Sequence, residues 1–231
     1  MASLLLGTAV IYAAQEKRTP NTGNPSTIDD FKAGDANREA YQRATDIVSA
    51  LQLSNGDWAA DVGAGSGYYA MRLSDVVGRS GKVFAEDISD RAIDWLNKRV
   101  KAFGLTNVTV VDGDADSPKL PANALSAVLV VNAYHHFSNH QAMSKQIVRA
   151  LKPGGRLVIV DYTLAEHRSL SRAEQVNIHE IDPALVRSEL TTVGFNVDHS
   201  EDPFVRRKPE VKDNGIGRAD LWLLVATRPK G

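Results

Sequence analysis

The chain contains no cysteine. That removes disulfides, thiolate metal ligands, a cysteine nucleophile and a cysteine-built arsenic site, while leaving the redox compartment open. An excess of positive charge is also missing: 27 Lys and Arg against 28 Asp and Glu give a formal net charge of −1. Such a balance offers no broad basic face to nucleic acid or to an anionic membrane. The densest basic stretch, Arg206-Arg207-Lys208, reads as a solvated loop. The apolar run from Ser3 to Ala14 falls short of the ~20 residues a spanning helix needs. It has the length of a signal-peptide core and ends in Ala13-Ala14, yet no Lys or Arg precedes it. Three readings follow: a mobile leader, a weak export signal, or the remnant of a signal that starts upstream. Cytoplasmic and exported locations therefore both stay open. Residues 19–34, rich in Thr, Asn, Pro, Ser, Gly and Asp, read as a polar linker. The expected division is leader and linker over 1–36 and one domain over 37–231.

What is present fits that single domain. The chain has 231 residues, 43% hydrophobic and 24% charged, enough for one sizeable core and few for two. Tyr41, Ala44, Ile47, Val48 and Leu51 recur at helical spacing up to Ser54-Asn55-Gly56. Trp58 to Val62 is a short buried-strand candidate running into a glycine-rich turn. Further helices are marked by Tyr69, Leu73, Val76 and Val77, by Ile93, Leu96, Val100 and Phe103, and by Met143, Ile147, Val148 and Leu151. The third is expected to stop at Lys152-Pro153-Gly154-Gly155. Strands are expected at Val83–Ala85, Val108–Val111, Ala127–Val131 and Leu157–Val160, and a helix from Asp182 through Leu190 precedes two last strand candidates. Strands alternating with helices at this spacing predict a mostly parallel sheet covered on both faces.

The turn Asp61-Val62-Gly63-Ala64-Gly65-Ser66-Gly67 joins a strand to a helix. Glycines suit backbone that takes positive φ or lets a ligand approach, and a helix start suits an anion. Alone, such a turn serves nicotinamide, flavin and adenosylmethionine sites alike. The dinucleotide fingerprint, however, needs a third glycine where Tyr68 or Ala70 stands, and it is missing. Asp61 places a carboxylate where an amino-acid ammonium fits and a pyrophosphate would be repelled. About twenty residues on, Asp87 or its neighbour Glu86 can accept from both ribose hydroxyls.

The set Asp61 to Gly67, Glu86-Asp87-Ile88-Ser89, Gly113-Asp114-Ala115-Asp116 and Leu151-Lys152-Pro153-Gly154-Gly155 resembles the class I S-adenosylmethionine-dependent methyltransferases of the ubiquinone/menaquinone-biosynthesis-like group. The resemblance extends over residues 37–227. It implies a Rossmann-like, seven-stranded sheet with an antiparallel last strand, and a donor site of Asp61, Gly63, Ala64, Gly65, Gly67, Asp87, Ile88, Asp114, Ala115 and Asn132. Within it, Asp114 would bond the adenine amino group, the Ala115 N–H would lie near the ring, and Ile88 would pack on its face.

The fourth strand ends in Asn132-Ala133-Tyr134-His135-His136-Phe137. In an open α/β sheet the ligand crevice lies beyond the strand ends where strand order reverses. Under the implied order that places His135 and His136 near the methyl acceptor, where a neutral imidazole can take a proton. As neighbours on an extended segment, they are expected to face opposite ways. Tyr134 either closes over the donor or belongs to the core. Asp161, His179 and Glu180 match no compact metal-ligand spacing with the histidines, so no metal is expected. An Asn-Pro-Pro-aromatic motif is absent after the fourth strand, and no large insertion supplies a separate substrate domain. The favoured reading is methyl transfer to a small molecule, at oxygen or carbon, with 162–181 and Phe204 to Gly217 as rim or lid. A dinucleotide-dependent oxidoreductase and a catalytically silent donor-binding protein stand as alternatives.

Overall fold

The computed structural model describes residues 25–39, 41–206 and 220–230. The apolar run Ser3 to Ala14 and most of the expected lid Phe204 to Gly217 lie outside the described residues. Seven strands form one sheet: β1 (Trp58–Val62), β2 (Lys82–Asp87), β3 (Val108–Asp112), β4 (Leu125–Val131), β5 (Leu151–Thr163), β6 (Asn196–Val205) and β7 (Asp220–Thr227). Their order is β3-β2-β1-β4-β5-β7-β6. The pairs from β3 to β5 are parallel, while β7 runs antiparallel to both β5 and β6. Strand order therefore reverses between β1 and β4, which creates a crevice above their carboxyl ends.

The sheet is apolar on both faces because successive side chains of a strand point opposite ways. Ala59, Val158, Val160, Leu223 and Val225 face one layer, packed by Ile47 of α2 (Ala44–Ala50) and Leu51 just after it, Leu73 and Val77 of α3 (Tyr68–Val77), and Leu96 of α4 (Asp90–Phe103). Ala60, Leu157, Ile159, Trp222 and Leu224 face the other, packed by Met143 and Ile147 of α5 (His140–Ala150) and by Val186 and Leu190 of α7 (Pro183–Thr192). Local signals agree with these helices. Asn139 caps α5 by accepting from the Ala142 N–H, and Asp182 caps α7 ahead of Pro183. A short helix, α6 (Arg172–Asn177), opens with a Ser171–Glu174 capping box.

Two elements depart from expectation. Lys152 to Gly155 does not separate α5 from the next strand; it is the first part of β5, with Leu125 paired to Leu151 ahead of a register shift. The second departure concerns the amino-terminal segment. Helix α1 (Ile28–Glu39) begins inside the stretch read as a linker and crosses the expected boundary between 36 and 37. Its composition is too polar to announce a helix, because tertiary contacts rather than periodicity hold it. Phe31 is buried, its ring edge-on to Phe103 and under the Arg99 guanidinium at 4.4 Å. Asp35 accepts from Arg99 Nη1 at 2.9 Å and Nη2 at 2.8 Å, and Arg99 is 1% exposed. That bidentate pair ties α1 to α4 behind the glycine turn. Removing one partner leaves a buried charge uncompensated, so Asp35→Ala is expected to cost about 3 kcal/mol of stability, read as a lower Tm.

Candidate functional site

The turn between β1 and α3 takes its shape from glycine. Gly63, Gly65 and Gly67 have φ of 73°, 56° and 80°, left-handed values that side chains resist. A Cβ on Gly63 would lie 2.5 Å from the Ala133 Cβ, whereas one on Gly65 would meet nothing within 4 Å. Gly63 therefore allows the turn to touch the end of β4, and Gly65 lies open to the crevice. The turn's amides are less free than a helix start suggests. Gly63 N–H donates to Glu86 Oε2, Ala64 N–H to the Glu86 carbonyl, Gly65 N–H to Asp87 Oδ2 and Gly67 N–H to the Ala64 carbonyl.

Carboxylates surround this turn. Asp61 is 2% exposed, and its Oδ2 has no hydrogen-bond partner among the described residues. Burial raises its pKa to about 7, against the opposing pull of the Ala70 N–H and Arg38. Glu86 is buried as well, with Oε1 unpartnered; burial first, then Asp87, raises it to about 8. Asp87, next along β2, holds Gly65 N–H through Oδ2 and Ser89 N–H through Oδ1 at 3.0 Å. Asn132, at φ 52° where β4 ends, keeps a buried Oδ1 without a partner among the described residues. Buried acceptors without partners among the described residues, at neighbouring strand ends, fit a ligand rich in donors. Beside them Ile88 is 53% exposed, an apolar side chain at the crevice rim.

Across the crevice, the chain after β4 coils into a single 3-10 turn, Tyr134–His136. The expectation that His135 and His136 face opposite ways rests on extended backbone, and the structure corrects it. In the turn their Nε2 atoms lie 3.0 Å apart and their ring centroids 4.0 Å apart. His135 is buried, and its Nδ1 lies 2.8 Å from Asp161 Oδ1 at the end of β5. Asp161, fully buried, also accepts the backbone N–H groups of His135 and Tyr162. A carboxylate can only accept, so Nδ1 carries a proton toward Asp161, and Nε2 faces His136 Nε2. His179 joins from the loop before α7, with ring centroids 5.9 Å from His135 and 5.3 Å from His136. Its backbone has φ 60°, a left-handed conformation that positions the ring. The His136 pKa is lowered by desolvation first and then by His135 and His179. Part of His136 stays open to water, so the direction, toward neutral imidazole, is what bears on chemistry.

The neighbouring loop is firmly built. Ile181 N–H donates to the Tyr162 carbonyl at 3.1 Å, and Trp222 Nε1 donates to the Ile181 carbonyl at 2.9 Å. Buried Glu180 accepts from Thr163 Oγ1 and Leu164 N–H and contacts His167 Nδ1 at 3.0 Å. Tyr134 is core rather than a cover: it is 1% exposed, with its hydroxyl on Glu189 at 2.8 Å.

Residues 59–155 match the family model described as a methyltransferase domain. The chain is 28% identical to a demethylmenaquinone methyltransferase from Geobacillus kaustophilus over 50% of each protein. It is 27% identical to a ubiquinone/menaquinone biosynthesis C-methyltransferase from Pseudomonas putida over 63% of this chain and 56% of the other. Its fold is similar to a SAM-dependent methyltransferase from Aquifex aeolicus, with TM-score 0.66 and 21% identity over 83% of this chain and 92% of that one. Residues 59–155 of the chain thus carry a methyltransferase domain. It spans about half the length of the curated relatives it matches.

Within this methyltransferase domain the structure brings together most of the residues singled out from sequence. Asp61, Gly63, Ala64, Gly65, Gly67, Asp87 and Asn132 border one crevice, with Ile88 exposed beside Asp87. Asp114 and Ala115 are exposed, and Asp114 pairs with Lys119 at 3.0 Å. Sequence reasoning weighed His179 beside His135 and His136 and set the grouping aside on spacing; the three come from two loops that only tertiary structure joins. It missed Asp161 as the group that fixes the His135 ring. The signal available was an acid at the end of β5, one strand from the paired histidines.

Proposed function

We propose that this methyltransferase domain transfers a methyl group from S-adenosylmethionine to a small-molecule acceptor at oxygen or carbon. The observation that carries the reading is a pair of buried oxygens, Asp61 Oδ2 and Asn132 Oδ1, at the ends of paired strands and without hydrogen-bond partners among the described residues, together with the open backbone of Gly65. When bound, the donor supplies an activated methyl group on a sulfonium: the carbon–sulfur bond breaks, the bond to the acceptor forms, and sulfur leaves as a neutral thioether. Asp61 pairs with the amino-acid ammonium, Asp87 accepts from the ribose hydroxyls, and Ile88 and the Asp114-Ala115 segment border the adenine. Alignment of the acceptor does most of the work, and the remaining task is removal of its proton. His135 and His136 stand two and three residues beyond Ala133, the residue against which the glycine turn packs, so acceptor and donor meet there.

A nicotinamide reading finds no support at the turn, where Asp61 would repel a pyrophosphate. A near-neutral surface favours a small acceptor over nucleic acid. The relatives' names favour a carbon acceptor, since one quoted is a demethylmenaquinone methyltransferase and the other a ubiquinone/menaquinone biosynthesis C-methyltransferase. Calorimetric titration tests the donor: binding of S-adenosylmethionine and S-adenosylhomocysteine but not NAD is expected. A coupled assay for S-adenosylhomocysteine release over hydroxylated aromatic and enolisable metabolites then tests turnover. Binding of NAD alone would sink the reading; donor binding without turnover on any acceptor would favour the silent protein.

A further inference from the structure

The cluster of His135, His136 and His179 is chemically unusual. One ring nitrogen from each lies within 4.8 Å of the other two. Three imidazoles packed this closely can each turn one ring nitrogen toward a common point. The Nε2 atoms of His135 and His136 are 3.0 Å apart. Two nitrogens at zinc-ligand distances of about 2.0–2.1 Å from a tetrahedral ion stand about 3.3 Å from one another, which this separation nearly matches. The Asp161 carboxylate holds the Nδ1–H of His135, the arrangement by which a carboxylate fixes the tautomer and orientation of a metal-binding imidazole. His179 keeps left-handed backbone at the same spot, in a loop anchored to both β5 and β7.

We propose that His135, His136 and His179 bind a divalent transition metal of the zinc class, with a remaining coordination position turned toward the methyl acceptor. The role rests on the proposed methyl transfer, whereas the binding itself does not. Imidazole ligands favour zinc, cobalt or nickel over calcium and magnesium, which take oxygen ligands. Three protein ligands leave a tetrahedral ion one open position, the mark of a catalytic rather than a structural site. An acceptor hydroxyl or enol placed there loses its proton more readily, the proton leaving to water past the exposed part of His136. The acceptor class implied is a small molecule that methylates at, or next to, an oxygen able to coordinate a metal.

The test uses the full chain without a histidine tag. After chelation and dialysis it is titrated with Zn²⁺ by calorimetry and with Co²⁺ by visible absorption, alongside His136→Ala, His179→Ala and Asp161→Asn. His136 is partly exposed, so its alanine variant is expected to keep the parent's Tm. The expected result is one zinc per chain and the visible bands of four-coordinate cobalt. Both should be lost or weakened at least about tenfold in the two histidine variants, and Asp161→Asn should weaken zinc about 10–100-fold. Catechol, used as an oxygen-donor probe, is expected to shift the cobalt bands. Equal metal binding by the parent and His136→Ala would overturn the site, and bands unmoved by catechol would overturn the acceptor role. S-adenosylmethionine is titrated in parallel: donor binding without metal binding sinks this inference alone, and metal binding without donor binding sinks the methyl-transfer reading and with it the acceptor role, leaving the metal site.

Discussion

Replacing Asp87 with alanine is expected to weaken S-adenosylmethionine binding by about 100-fold or more. That magnitude follows from two charge-assisted hydrogen bonds to the ribose at roughly 1.5–3 kcal/mol each, with about 1.4 kcal/mol per factor of ten. A second contribution comes from the turn, because Asp87 Oδ2 accepts the Gly65 N–H at 2.9 Å and Oδ1 the Ser89 N–H at 3.0 Å. Asp87→Asn separates the two. It keeps one carbonyl oxygen for one of the two N–H groups and loses the charge, so its Tm should fall less than that of Asp87→Ala while it still binds at least about tenfold more weakly. A complementary readout is ligand preference: the parent should bind adenosine better than 2′-deoxyadenosine, and both variants should lose that preference. Undiminished affinity in Asp87→Ala would remove this residue from the donor site.

The same residues show where sequence is sufficient. The glycine spacing, Asp61 and Asp87 are legible because the groups belong to consecutive strand ends, and a parallel sheet brings such ends together. The alternation of apolar runs and helical stripes then implies the sheet. What is not legible depends on folding at a distance. Helix α1 is held by Arg99, 64 residues from Asp35, and its polar sequence carries no periodic sign of that. The orientation of His135 and His136 escapes a reading that assumes an extended strand end, because the chain makes a 3-10 turn there. His179 follows them by more than forty residues, a spacing no compact ligand motif contains, and it arrives because β5 and β7 anchor its loop. The glycine spacing also overstates how free the turn's amides are, since Glu86 and Asp87 already occupy several of them.

Asp61→Asn is expected to act in opposite directions on the fold and on the site. In the folded protein burial lifts the Asp61 pKa from 3.8 to about 7. The native state therefore binds more protons than the unfolded one between those values, and stability falls as pH rises through that window. Above pH 7 the ionised carboxylate is a standing cost of about 4 kcal/mol, since each tenfold gain in proton affinity on folding corresponds to about 1.4 kcal/mol. Asparagine removes it, so the variant should melt higher at pH 8, by about 2–4 °C for each kcal/mol, and match the parent near pH 4. Glu86, raised to about 8, adds pH dependence of the same sign and is present in both proteins. Donor binding should move the other way. An ammonium pairs with the charged form only, so binding below pH 7 releases a proton from Asp61 and strengthens as pH rises from 6 to 7.5. Calorimetry in two buffers of different ionisation enthalpy measures that proton. In Asp61→Asn the proton release should vanish and affinity should fall by about 100-fold, the loss expected when a buried charge pair is broken. A variant that melts higher and still binds as the parent does would place the ammonium elsewhere, and a variant that melts lower would show that the buried carboxylate already has its counter-charge in the free protein.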